Sequence, residues 1–310
     1  MTALNKKIKI ALDESRMLVL GAQILLGFQY RAFFEKTFEQ LPPTSQYLKL
    51  SALGILLITI ALIMWPGAYH RIVWRGKDSP DIHAFTTSVM DVALLPFLIA
   101  LSVDFYVIGA RVIGAEKGIA LGVTMGIVAV ALLYGLGCLS RFGRWDREIK
   151  SKRGRTQEVP KTELHDKIDQ VLTEARVVLP GAQALLGFEL ITMLMEEFDK
   201  LPPSSKYVHL ISLALMGLTV ILLMAPAAYH RIVERGEDTE HFHNVASRLL
   251  LIAMIPLPMG ICGDLFVVIR KVTESTVSGI IGAAGALVLF YGLWFGFTAY
   301  RRSQIRANAA

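Results

Sequence analysis

Two aspartates stand inside apolar stretches and occupy equivalent places in the two halves of the chain. Asp104 and Asp264 are separated by 160 positions. Ionisable side chains are costly within a bilayer, so each one raises a functional hypothesis. We interpret both as proton or cation groups of a transport site. The structural alternative is anchoring near the outer membrane boundary, because Arg111 and Lys271 follow seven residues later.

Two glutamines form a second pair with the same spacing. Gln23 and Gln183 each lie in the sequence GAQ within an apolar stretch, and a glycine follows four residues later. An amide in a membrane helix is expected to face protein and to find hydrogen-bond partners there. We predict close helix packing at both positions. Lining of the transport or proton site is the functional alternative.

A third group combines histidine with arginine at the ends of apolar stretches. The sequence AYHRIV occurs at residues 68–73 and again at 228–233. Cationic side chains at a helix C-terminus complement its dipole, which is the structural interpretation. Alternatively, the two histidines of each half, thirteen positions apart, face one another and bind a metal, ligate a haem or relay protons. This hypothetical cytoplasmic mouth comprises His70, Arg71, His83, His230, Arg231 and His243.

The chain lacks the sequence patterns of soluble enzymes. It contains no glycine-rich phosphate loop, nucleophile elbow or zinc-protease motif, so we predict that it is not an enzyme. Its two cysteines, Cys138 and Cys262, do not occupy equivalent positions and indicate no disulfide framework. No cofactor and no metal site follow from the sequence. The net charge of +6 comes from basic residues flanking apolar runs, which argues against nucleic-acid binding.

Membrane-spanning helices must position these residues. Hydrophobic residues make up 54% of the 310-residue chain and charged ones 19%. Apolar runs close to the ~20 residues needed to cross hydrocarbon recur throughout. We predict an all-α integral membrane protein with eight transmembrane helices. They cover 17–35, 47–69, 85–110 and 118–140 in the first half and 177–195, 207–229, 245–270 and 277–299 in the second.

The distribution of lysine and arginine predicts the orientation. Positive charges concentrate at both termini, after the second span and in the central linker, so these parts belong in the cytoplasm. We expect the lipid bilayer to be a cell inner (plasma) membrane. The predicted domains are two four-span repeats, 1–145 and 161–310, joined by a basic linker at 146–160. An even number of spans per repeat makes the repeats parallel, related by a pseudo-two-fold axis along the membrane normal. The result is an internal pseudo-dimer.

Three motifs carry a resemblance to a known family: Glu14-x-Arg16, the GAQ segment extended to Phe28, and the stretch from Pro66 to Arg71. In this combination the chain resembles a bacterial membrane family of unknown function. Its members usually look like one four-span unit, and many carry an automatic label of sodium:proton antiporter. The resemblance implies that this chain is a tandem duplication, a fused version of a dimer.

The leading hypothesis is therefore an ion or proton-coupled transporter whose partners are protons or sodium ions. Asp104 and Asp264 would carry the charge. A structural or assembly subunit, which binds a protein partner through the basic linker, is the second hypothesis. Binding of haem or quinone by the cytoplasmic histidines is the third.

Overall fold

The computed structural model describes residues 3–74, 80–131, 134, 164–234 and 239–307 of the chain, and the predicted linker at 146–160 lies outside this part. All regular structure within these ranges is helical. The first repeat contains α1 (Ala3–Ala32), α2 (Lys36–Glu39), α3 (Pro43–Trp74), α4 (Pro80–Ile113) and α5 (Ala115–Val130). The second contains α6 (Leu164–Thr192), α7 (Glu196–Asp199), α8 (Pro203–Ile232), α9 (Glu240–Ala253), α10 (Pro256–Thr273) and α11 (Thr276–Tyr291). A π-helical turn (Gly292–Phe297) then leads into α12 (Thr298–Ala307).

Six helical segments of the described residues are long and apolar enough to cross a membrane. They correspond to α3, α4, α6, α8, the α9–α10 pair, and α11 with its continuation into α12. The prediction of a polytopic, all-helical membrane protein is thus confirmed at this level. Two predicted spans are not among the six. α1 carries charges through its first half, and α5 is described over only 16 residues.

Proline and glycine define where the helices begin, break and turn. Pro43 and Pro203 open α3 and α8, where the missing N–H costs nothing. Pro96 lies inside the continuous α4, whereas the chain at Pro256 starts a new helix after a break. The turn between α4 and α5 contains Gly114 at φ 91°, a conformation that favours glycine.

The two repeats share one continuous hydrophobic core. α1 and α6 cross at its centre, where a Cβ atom on Gly27 would lie 2.1 Å from the Phe188 ring. The predicted close packing is confirmed here in the first repeat. At Gly187, its counterpart, a Cβ atom would have no neighbouring atom within 4 Å.

The fourth spans pack differently in the two repeats. α5 lies against α4 along a seam of Gly118, Gly122 and Gly126, where a Cβ on Gly118 would meet the Ala110 backbone at 2.4 Å. α11 likewise packs against α10, but the α11–α12 segment also contacts α3 of the first repeat. The fully buried Trp294 donates there to the carbonyl oxygen of Ala61 at 2.8 Å.

Candidate functional site

A buried cluster of four ionisable side chains lies around Asp264, and we call Tyr30, Glu189, His209 and Asp264 the Asp264 cluster. His209 Nδ1 is 2.8 Å from Asp264 Oδ1, and the Tyr30 hydroxyl is 2.9 Å from the same nitrogen. Tyr30 also donates to Asp264 Oδ1 at 3.2 Å. All four residues are at least 95% buried. Tyr30 comes from the first repeat and the other three from the second, so the site joins the repeats.

The hydrogen bonds of His209 require a proton between His209 and Asp264. Nε2 lies 3.2 Å from the carbonyl oxygen of Glu189, and a carbonyl only accepts, so Nε2 carries a hydrogen. Nδ1 and Asp264 Oδ1 must then share one further proton, whichever of the two holds it. The carboxyl group of Glu189 lies within hydrogen-bonding reach of Asp264, and such a contact between two acids also needs a proton.

Helix register brings these residues together near one end of the bundle. His209 follows the start of α8 at Pro203 by six residues, and Asp264 precedes the end of α10 at Thr273 by nine. Glu189 occupies the last turn of α6. The Ser212 hydroxyl, one turn after His209, bonds Asp264 as well. A cavity of about 20 Å³ adjoins Tyr30, Glu189 and Asp264.

The same positions of the first repeat carry a different arrangement, which we call the Asp104 cluster. Lys49 stands where the second repeat has His209, and Gln29 where it has Glu189. Lys49 Nζ donates to Asp104 Oδ1 at 2.6 Å, and Gln29 Nε2 donates to Oδ2. The side chains of Lys49 and Asp104 are 12% and 10% exposed. This is a neutralised ion pair whose hydrogen bonds require no additional proton.

Aromatic rings and ion pairs cover the Asp264 cluster on the side of α2 and α7. The Phe198 ring of α7 lies 5.1 Å from the His209 ring. Beyond it, Lys271 donates to Glu39 at 2.8 Å, and Lys200 bonds Glu197 at 2.6 Å. The hydrogen bond with Glu197, together with the ammonium of Lys271, lowers the pKa of Glu39 to about 2. We call Glu39, Glu197, Lys200 and Lys271 the outer network.

At the opposite end, the first AYHRIV segment joins the repeats through Arg71. Its guanidinium donates to Glu174 of α6 and, at 3.0 Å, to Ser247 of α9. Only 5% of the Arg71 side chain and 11% of the Glu174 side chain are exposed. The pair borders a cavity of about 70 Å³ that is otherwise lined by apolar residues and Thr219. We call it the Arg71 cavity.

The predicted histidine pairs remain a hypothesis. His70 is buried, His83 and His230 are half-buried, and the His230 ring lies 4.5 Å from Phe242. His243 is half-buried too, and the Arg231 side chain lies outside the described part. In the Asp264 cluster the potential ligand atoms point at one another. No group of three or more His, Cys, Asp or Glu side chains in the described ranges could hold a metal ion.

The two glutamines predicted to be equivalent differ in environment. Gln23 is fully buried at the crossing of α1 and α6, whereas Gln183 is exposed. Within the described residues, neither atom of the Gln23 amide has a hydrogen-bond partner. The predicted hydrogen bonding is therefore wrong for Gln23.

The apolar surroundings of Asp104 and Asp264 predict these two residues as site candidates, but they do not predict the residues that bond them. Lys49 and His209 lie near the start of a span, where a polar residue attracts little notice. The useful pattern was the repeat itself. Positions 29 and 189, 49 and 209, and 104 and 264 are polar in both copies although their neighbours are apolar.

These features define a class: a helical, multi-pass membrane protein built from two tandem repeats, with polar clusters inside its helical bundle. The chain matches the family of unknown function DUF6328 twice, over residues 2–137 and 157–298, and it belongs to that family. No curated protein and no solved structure matches it.

Proposed function

We propose that this protein is a proton-coupled ion transporter and that the Asp264 cluster carries its proton. The observation behind the proposal is the buried 2.8 Å contact between His209 Nδ1 and Asp264 Oδ1, which requires a proton between the two atoms, with Glu189 as a second acid beside it. In a low-dielectric interior, two ionised carboxylates and a protonated imidazole would leave a net negative charge, which uptake of one proton removes. Proton binding and release are thus the chemistry that this site can perform.

The proposal includes the arrangement in the membrane. α1 and α5 occupy the repeat positions of α6 and α11, so we count them as spans and reach eight. The two four-helix repeats would be related by a pseudo-two-fold axis along the membrane normal, with both termini in the cytoplasm of an inner membrane. The Arg71 cavity then opens toward the cytoplasmic half and the outer network covers the other. Under this proposal the chain is not an enzyme.

The test is proton flux in vesicles that contain the purified full chain and a pH-sensitive dye, with sodium or potassium gradients as the driving force. Wild type should move protons well above the level of empty vesicles, and Asp264→Asn should abolish that flux. Asp104→Asn is the matched control at the same repeat position, and its flux should stay within about threefold of wild type. Equal flux from wild type and from the double variant Asp104→Asn/Asp264→Asn would contradict the proposal.

A further inference from the structure

Two cavities lie along the contact between α1 and α6. The Arg71 cavity, about 70 Å³, is bordered by Val19 on α1 and Val178 on α6. The cavity beside the Asp264 cluster, about 20 Å³, is bordered by Leu26 on α1 and Leu185 on α6. A water molecule needs a space of roughly 10–15 Å³. Each cavity is therefore large enough for water. The first borders the Arg71–Glu174 pair, and the second borders the Asp264 cluster.

Gln23 lies between these cavities. It follows Val19 by four residues and precedes Leu26 by three, which places it about 5–6 Å along the helix axis from either cavity. Its side chain is fully buried, and both amide atoms lack a hydrogen-bond partner within the described residues. A buried amide left without partners is costly. Gln23 borders neither cavity directly, but a bridging water that reached it from either one would satisfy the amide.

A glycine on the facing helix makes room for this amide. A Cβ atom on Gly181 would lie 1.8 Å from Gln23 Oε1, so no larger residue fits there while Gln23 keeps its position. The equivalent Gly21 has no atom within 4 Å of the corresponding point, and Gln183 is exposed. A buried amide is therefore present at Gln23 and not at its counterpart Gln183. Along α1, Gln23 lies between the Arg71 cavity and the Asp264 cluster.

We infer that Gln23 holds a hydrated link through which protons pass between the Arg71 cavity and the Asp264 cluster. The amide both donates and accepts, so it can connect the waters on its two sides without carrying a charge itself. It is a positioning residue for water and has no catalytic part. The transport role rests on the proposed function, whereas hydration of the crossing does not.

The first experiment measures proton flux in vesicles for Gln23→Leu, Gln23→Asn and Gln183→Leu in the full chain. Gln23→Leu removes the polar group at similar volume and should lower the flux at least tenfold. Gln183→Leu, the matched change at the exposed position, should stay within twofold of wild type. Gln23→Asn keeps an amide and should retain more flux than Gln23→Leu. A Gln23→Leu protein with wild-type flux would overturn the inference.

The second experiment detects water without relying on transport. With Cys138 and Cys262 replaced by alanine, a cysteine replaces either Leu26, which borders the cavity beside the Asp264 cluster, or the fully buried Ala246, and thiol hydrogen–deuterium exchange is followed by the infrared S–H band. With Gln23 in place, the thiol at 26 should exchange at least tenfold faster than the one at 246, and Gln23→Leu should slow that exchange. Equal rates at 26 and 246, or exchange at 26 that Gln23→Leu leaves unchanged, would overturn the hydrated link. If wild type shows no flux but position 26 exchanges rapidly only when Gln23 is present, the proposed function fails and the hydrated crossing stands.

Discussion

The Asp104 and Asp264 clusters occupy the same place in two copies of one repeat, but different side chains surround their carboxyl groups. In the first repeat, a lysine and an amide donate to the carboxylate, and no further proton is needed. In the second, a histidine, a second acid and a tyrosine surround the carboxyl group, and a proton must be shared. The two copies of one membrane unit therefore hold their buried carboxyl groups differently, one with a lysine and an amide, the other with a histidine, an acid and a tyrosine.

Conversion of the second cluster into the first should have the largest effect on activity. Glu189→Gln/His209→Lys gives Asp264 the partners that Asp104 has. We expect proton flux to fall at least a hundredfold while the protein stays folded, because the new ion pair holds Asp264 ionised. Vesicle flux and the melting temperature in detergent measure the two effects. A converted protein that still transports protons at more than a tenth of the wild-type rate would contradict this difference between the two clusters.

Removal of the basic side chain that bonds the aspartate should lower the free energy of unfolding more in the first repeat than in the second. Lys49→Met leaves Asp104 buried and ionised without its partner, and breaking such a pair typically costs about 3–5 kcal/mol. His209→Met should cost less, about 1–3 kcal/mol, because Asp264 can keep a proton and a bond to Ser212. Denaturant unfolding of both variants checks the order. Equal losses would show that the two carboxyl groups are held alike.

Tyr30 tests whether the link between the repeats contributes to the difference. Leu190 replaces it at the equivalent position, so only the Asp264 cluster receives a hydroxyl from the other repeat. We expect Tyr30→Phe to lower proton flux about three- to tenfold and to cost about 1 kcal/mol of stability, the usual net value of one hydrogen bond. Leu190→Phe serves as the control and should leave the flux unchanged. A proton flux that Tyr30→Phe leaves unaltered would show that the Tyr30 hydroxyl does not contribute to transport.

The outer network should give the smallest effect, and it should depend on pH. The pKa of Glu39 is lowered to about 2, so its contribution to stability is present above its ordinary value near 4.5 and is lost as pH falls toward 2. Glu39 is half exposed, so its ion pairs are worth no more than about 1 kcal/mol. Wild type should lose its small advantage over Glu39→Gln between pH 4.5 and pH 2. A constant difference in melting temperature across that range would argue against this contribution.

Much of this architecture could be read from the sequence, and the limits have physical causes. Apolar runs and the 160-residue repeat predicted helices and duplication, because the length and composition of a span follow directly from the bilayer. Asp104 and Asp264 stood out since a carboxylate in an apolar run is costly. Their partners did not, because periodicity in one helix does not tell which helices cross or at what height.

The repeat also suggested more symmetry than the fold contains. Gln23 and Gln183 lie in identical GAQ segments, yet one is buried at the α1–α6 crossing and the other is exposed. Pro96 and Pro256 are equivalent as well, but only the second coincides with a helix break, where Pro258 removes another backbone donor. Such differences depend on packing between repeats, which local sequence does not encode.

We infer that, of the two clusters, only the one around Asp264 exchanges a proton. Infrared difference spectroscopy of the purified protein between about pH 6 and about pH 9 measures this directly through the C=O stretch of protonated carboxyl groups, because carboxyl groups with ordinary pKa values stay ionised across that range. We predict a carboxyl band that changes with pH in wild type and in Asp104→Asn and is missing in Asp264→Asn. A band that survives in Asp264→Asn, or disappears in Asp104→Asn, would contradict it.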